Sequence, residues 1–183
     1  MPIVKQLLRI IFFMLPGVLL GQNALSLFSS PYLQASGRSF ITTQSLDALF
    51  INAAGIESVK SFNAMVFAGK PYAADGVNCG ALALAIPIGG AAIGASITSF
   101  GNEFYKENNV SLQYARKLTQ NLQIGGGMDY FQVNLPSEYG STSTINFRLG
   151  LIQTITDNFK LGAAFQSPIR RNISLDEKNV SIF

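Results

Sequence analysis

The feature that most restricts this chain is a two-residue alternation that recurs in segments of roughly ten residues, the length a tilted strand needs to cross a membrane. In 110–118 the apolar set Val110, Leu112 and Tyr114 alternates with Ser111, Gln113 and Ala115. In 122–134 Leu122, Ile124, Met128 and Tyr130 stand against Gln123, Gly125, Gly127 and Asp129. In 144–155 Ile145, Phe147, Leu149 and Leu151 oppose Asn146, Arg148 and Gly150, and in 159–167 Phe159, Leu161, Ala163 and Phe165 oppose Lys160, Gly162, Ala164 and Gln166. A period of two puts successive side chains on opposite faces of a strand, so each segment has one apolar face and one small or polar face. The predicted class is all-β and antiparallel.

A soluble β-sandwich also alternates, so the connections decide. They fall at 70–76, 87–91, 101–109, 119–121, 135–143, 156–158 and from 168 onward, alternating longer with shorter. That is the rhythm of an outer-membrane barrel, with long loops at one end and tight turns at the other. Only 13% of the residues are charged, about half of what a soluble surface carries. The uncharged stretch 80–97 invites a transmembrane-helix reading, but Pro87 and Gly89-Gly90 sit at its middle. They would break a helix and suit a hairpin turn. Leu82, Leu84, Ile86 and Ile88 also fall at every second position.

The N-terminus has a different pattern. Residues 1–21 place Lys5 and Arg9 ahead of a short apolar run that ends at small Gly21, the layout of a secretory signal peptide cleaved after Gly21. Residues 22–57 form an N-terminal segment with one short helix, N-capped by Ser45, carrying Asp47 in its first turn and running to about Asn52. It is expected to lie at or inside one end of the barrel. Residues 58–183 supply the membrane strands, seven clear ones and an incomplete eighth at 180–183. The expected fold is therefore an antiparallel outer-membrane β-barrel, or a half-barrel of about eight strands, in the outer membrane of an exported protein.

Several functions are excluded. No histidine is present, which removes the commonest general base and metal ligand. Of 13 Lys and Arg, Lys5 and Arg9 belong to the signal, leaving 11 against 10 Asp and Glu, and no basic run exceeds two residues. No phosphate backbone would find its footprint here. Gly125-Gly126-Gly127 and Gly89-Gly90 do not fit a phosphate loop, no Gly-x-Ser-x-Gly occurs, and Asp176-Glu177 reads as a solvated pair. Cys79 has no internal partner and reads as a packed, inert thiol. We expect no enzyme, no cofactor, no metal site and no nucleic-acid partner.

The run 46–55, LDALFINAAG, followed by repeated strands and by Phe100-Gly101 and Tyr105, resembles the fatty-acid-transporter-like (FadL-like) outer-membrane family. The likeness is nearest to its PorV/PorQ group, associated with type IX secretion. Asp47, Ala48, Asn52, Ala54 and Gly55 match that family's Asp-Ala…Asn-Pro-Ala-Gly element, and Ala53 stands where proline is usual. The resemblance implies a barrel with more strands than this chain offers, of which these residues would be the N-terminal half. It implies one of two roles in outer-membrane lipid: a conduit for hydrophobic small molecules, or an accessory to a secretion translocon. The alternative is a soluble secreted β-domain that binds a ligand or partner in the periplasm, which needs a second sheet over the apolar faces at 110–165.

Turn positions also predict a polar row inside the sheet. The turn at 119–121 sets Ser111 beside Asp129. A loop pairing Asn134 with Ser143 sets Asp129 opposite Arg148, and a turn pairing Ile155 with Phe159 sets Arg148 beside Gln166. The expected lumen row is Ser111, Asp129, Arg148, Gln166, with the Asp/Arg pair neutralising its own charge.

Overall fold

The computed structural model describes residues 30–37, 40–71, 76–136, 140–168, 172–175 and 178–181. The expected signal peptide at 1–21 and the chain end at 182–183 lie outside them.

The fold is all-β. Seven strands form one antiparallel meander in chain order: β1 Asn63–Gly69, β2 Asn78–Ile88, β3 Ala91–Gly101, β4 Lys106–Lys117, β5 Leu122–Asn134, β6 Ser141–Thr156 and β7 Phe159–Pro168. The 80–97 stretch is the β2–β3 hairpin. Its turn residues Gly89 and Gly90 have φ of 52° and 83°, positive at both positions as a tight two-residue hairpin demands.

The sheet does not close on itself. β1 and β7 are both edges, so the barrel expected from the sequence is not formed by these strands. The expected eighth strand is also corrected. Lys178–Ser181 (β9) pairs with Asn172–Leu175 (β8) in a separate two-stranded hairpin instead of extending the sheet. Short turns bring consecutive segments together more readily than distant ones, and only residues 176–177 separate the 178–181 segment from its partner.

Two registers differ from expectation. The β5–β6 loop closes with Asn134 opposite Ser141, which pairs Asp129 with Asn146 and Gly127 with Arg148. A two-residue slip leaves every side chain on its original face, so Arg148 stays inside and lies diagonal to Asp129. At the β6–β7 turn Phe159 pairs with Thr156, and a bulge between Thr154 and Thr156 absorbs Ile155. Beyond the bulge Arg148 pairs with Gln166 as expected, and Ser111 pairs with Asp129.

Among its described residues the N-terminal segment has three short helices: α1 Pro31–Ala35 and two 3-10 helices, Leu46–Phe50 and Ala53–Ser58. Ser45 caps the first 3-10 helix by accepting from the Asp47 amide, as expected; that helix stops at Phe50, and Asn52 caps the second by accepting from Ala54. Their apolar side chains Leu46, Ala48, Leu49, Ile56 and Val59 pack on Ala83, Ala85, Ala92 and Ala115 of the sheet. Full burial of Leu49 and Ile56 stabilises this docking by about 2 kcal/mol each. The core thus lies between one face of the sheet and residues 41–59.

Candidate functional site

The two faces of the sheet are inverted relative to a water-soluble protein. One transverse row, each residue registered with the next, runs Val66, Leu82, Ile97, Val110, Tyr130, Ile145. Every member is exposed, Val66 at 78%. One residue along each strand, the opposite face carries the registered row Ala83, Ser96, Ser111, Asp129, Asn146. Every member of that row is buried, Asp129 at 0%. Along these rows the larger apolar side chains point outward and the buried polar ones point in, while the rest of the inner face carries an apolar core that includes Ala85, Ala92, Val133 and Ile152. The outward positions of β1 to β7 carry two charges, Lys106 and Arg116, at opposite ends of β4. Asn108, Gln132 and Asn134 continue a polar rim at the Lys106 end, and Gln153 lies near the other.

The inner face is not an empty lumen. Residues 41–59 lie directly on it, and the sheet makes room by presenting glycine. A Cβ on Gly125 would stand 2.4 Å from the backbone of Ala53 and Ala54, and one on Gly150 would stand 2.1 Å from Asn52 Oδ1. Gly125 and Gly150 are registered partners on β5 and β6. On β7, a Cβ at Gly162 would press on Ile41 and Thr42. Three neighbouring strands thus share a smooth floor that admits the backbone of Ala53 and Ala54 and the side chains of Asn52, Ile41 and Thr42.

Asn52 is the fastener. Its Nδ2 donates to Ile41 O at 2.8 Å and to Leu151 O at 3.2 Å, with Ala163 O within 3.4 Å, while its Oδ1 accepts from Ala54 N at 3.1 Å. One buried amide joins the segment to β6 and β7 and starts the second 3-10 helix. The neighbouring Gly55 is held for a steric reason, since a Cβ there would meet Thr43 O at 2.0 Å. Ala54 is buried against the Gly125 and Gly150 floor. Ala48 is buried in the core, and the Asp47 carboxylate accepts from Ser45 at 2.9 Å and from Ser30. All five positions of the motif therefore serve the docked segment. Asn52→Ala is expected to cost about 2 kcal/mol, a lost cap plus carbonyls left short of donors. Urea unfolding measures this, with the exposed Asn63→Ala as a control expected to change little.

The expected polar row is brought together. Arg148 Nε donates to Asp129 Oδ2 at 2.5 Å, and Gln166 Nε2 donates to the same oxygen at 3.2 Å. Ser111 lies beside Asp129 in register but donates to neither; its Oγ accepts from Gln113 Nε2 at 2.8 Å. Gln113 also donates to Leu49 O at 2.7 Å, and Arg148 Nη1 reaches the same carbonyl at 3.2 Å. The row therefore grips the first 3-10 helix by the buried Leu49 carbonyl near its C-terminus, a group that helix ends leave without an internal partner. The sequence reading missed Gln113, although its position on the polar face was visible.

A second polar clamp, at the short-turn end, was also missed. Gln123 donates to Glu57 at 2.6 Å and accepts from Gln44 at 2.8 Å, Lys160 donates to Gln44, and Lys117 lies 3.9 Å from Glu57. At the long-loop end Tyr105 donates to Glu107. Burial, and after it Glu107, pushes this phenol above its ordinary value, which keeps it a neutral donor. A cleft of about 920 Å³ opens there, lined by Cys79, Phe100, Phe104, Lys106 and Asn134 among others. A smaller cavity of about 190 Å³ lies beside β7, lined by Phe50, Ile51, Arg148, Phe165 and Gln166 among others.

No known protein family, curated protein or solved structure matches this chain. Its chemistry is read from this geometry alone. Among the described residues no group of three or more Asp, Glu, Cys or His could hold a metal, and no helix is long and apolar enough to cross a membrane.

Proposed function

We propose that the chain is a non-enzymatic outer-membrane protein whose seven strands form part of a β-barrel, with residues 41–59 plugging its interior. The observation that carries this reading is the pair of adjacent rows: Val66 to Ile145 apolar and exposed, Ala83 to Asn146 largely polar and buried. In water that row, with Leu112, Met128, Phe147 and Leu149 beside it also exposed, would be a continuous apolar patch of the kind that marks an interaction or membrane surface. In lipid it is the expected surface, and a polar interior is the norm for such barrels. The rival, a soluble secreted β-domain binding a ligand or partner in the periplasm, needs a cover for that face. Among the described residues the other sheet is the β8–β9 hairpin, with four residues in each strand.

The role that fits the site best is passage or holding of hydrophobic small molecules. Support comes from the cavity beside β7, which joins the apolar Phe50, Ile51 and Phe165 to the polar Arg148 and Gln166, a lining suited to a molecule with an apolar body and a polar head. The second reading, an accessory to a secretion translocon, rests on the PorV/PorQ resemblance at Asp47, Ala48, Asn52, Ala54 and Gly55. Membrane residence is tested first. The protein should require detergent for extraction and shift its gel mobility on heating. Leu149→Arg, in the middle of the apolar face, should cost about 2 to 4 kcal/mol in lipid against about 0 to 1 for Gln153→Arg near the rim. Release into the soluble fraction without detergent, or equal costs at the two sites, would refute the membrane reading.

A further inference from the structure

We infer that the free edges β1 and β7 are closed by a partner sheet with an odd number of antiparallel strands, three or more, different in sequence from these seven. The inference rests on the outer-membrane reading and adds the geometry of closure. β1 has β2 as its strand neighbour and β7 has β6, leaving one side of each open among the described residues. In hydrocarbon an unpaired backbone N–H or C=O costs several kcal/mol, and membrane sheets therefore close.

Strand direction fixes the parity. In a seven-stranded antiparallel meander the first and last strands run the same way, here from the short-turn end to the long-loop end. A strand pairing antiparallel with β7 and a strand pairing antiparallel with β1 both run the opposite way. The strands that begin and end in that direction are odd in number.

The interior fixes the minimum. One added strand would make eight, and an eight-stranded barrel has room inside for little more than its own side chains. Here the inner face also holds residues 41–59 with two 3-10 helices pressed onto Gly125, Gly150 and Gly162. The β8–β9 hairpin does not serve. It brings two strands, an even number, and each has four residues where roughly nine to eleven are needed to cross.

A second copy fails on direction. Inserted the same way up, its β1 would meet β7 in parallel, giving two parallel seams of the less stable kind. Turned over, its β7 would meet β7 antiparallel, but its long loops would then face the opposite side of the membrane. The partner sheet is thus a distinct sequence with an apolar outer face level with the Val66 to Ile145 row.

The test places a photo-cross-linking phenylalanine analogue at Val66 and, separately, at Phe165, both exposed on the edge strands, in full-length protein in its native membrane with tagged and untagged copies together. The expected result is adducts from both positions with one and the same polypeptide sequence. The two cross-linked sites should fall on the outermost of an odd set of alternating apolar segments, and the adduct should retain heat-modifiable mobility. Tagged-to-untagged adducts joining these strands, a link between β1 and β7 of one chain, an even set of segments, or no adduct at either site would each overturn the closure. Extraction without detergent would instead overturn the membrane reading on which it rests.

Discussion

Gly125→Ala and Gly150→Ala are each expected to undock residues 41–59 and to lower stability by about 3 kcal/mol, whereas Gly126→Ala should change stability little. The reason is where each new Cβ would fall. At Gly125 it would lie 2.4 Å from Ala53 C and Ala54 N, and at Gly150 it would lie 2.1 Å from Asn52 Oδ1 with Ala54 N at 2.9 Å. These neighbours are backbone, or a side chain already committed to several hydrogen bonds, so neither can step aside locally. Overpacking of that kind costs about 1 to 3 kcal/mol, and the upper end applies because the segment must lift as a unit. At Gly126, one residue away on the outer face, a Cβ would meet Arg148 O at 3.5 Å and Leu149 Cδ2 at 3.6 Å, ordinary contact distances. Amide exchange distinguishes undocking from general loss of stability. In the Gly125 and Gly150 variants the 46–59 amides should exchange much faster while the β4–β5 ladder stays protected. Equal protection at 46–59 in all three variants would show that the floor tolerates a methyl group and that the docked segment is held by something else.

This contrast also marks where the sequence was legible. The strands could be read because lipid-type and interior-type residues alternate, and Val110, Leu112 and Tyr114 are indeed exposed while Ser111, Gln113 and Ala115 are buried. The strand ends could not. β4 begins at Lys106 and not at 110, and β6 begins at Ser141 and not at 144. Lys106, Asn108, Ser141 and Ser143 are polar and outward-facing, so the alternation that identified each strand stops before the strand does. A loop read as too long by two residues then carried the register error that set Asp129 directly opposite Arg148. The bulge at Thr154 to Thr156 left no trace in the pattern, since Thr-Ile-Thr alternates as well as any regular strand.

The docked segment was half legible. The motif positions Asp47, Ala48, Asn52, Ala54 and Gly55 were singled out, and Gly125, Gly150 and Gly162 were placed on the small or polar face. What could not be read was that the two features meet. Gly125, Gly150 and Gly162 are 25 and 12 residues apart in sequence, and only strand pairing brings them side by side under Asn52. A usable signal did exist: an inward-facing glycine on each of three successive strands leaves a gap that the sheet's own side chains do not fill, so another segment must enter it.

Asp129→Asn and Arg148→Leu should each destabilise strongly, by about 3 to 5 kcal/mol, because either change strands the other charge in a buried site. The Asp129 side chain is 0% exposed and that of Arg148 11%. Their contact is the 2.5 Å bond from Nε to Oδ2, with Gln166 donating to the same oxygen. The double variant Asp129→Asn/Arg148→Leu should cost less than the two singles added, with a coupling of about 2 kcal/mol. Gln166→Leu should cost about 1 kcal/mol, the value of one neutral donor. The two singles should also differ in kind. Arg148 donates to Leu49 O as well as to Asp129, so Arg148→Leu should speed amide exchange across Leu46–Phe50 directly. Asp129→Asn touches no atom of that helix and should affect it only through a displaced arginine. Unfolding midpoints of the four proteins measure the coupling, and amide exchange separates the roles. Strictly additive costs would mean that the carboxylate and guanidinium sit side by side without sharing energy. Equal exchange at Leu46–Phe50 in both singles would mean that Arg148 holds the inner face of the sheet together but does not hold the segment docked on it.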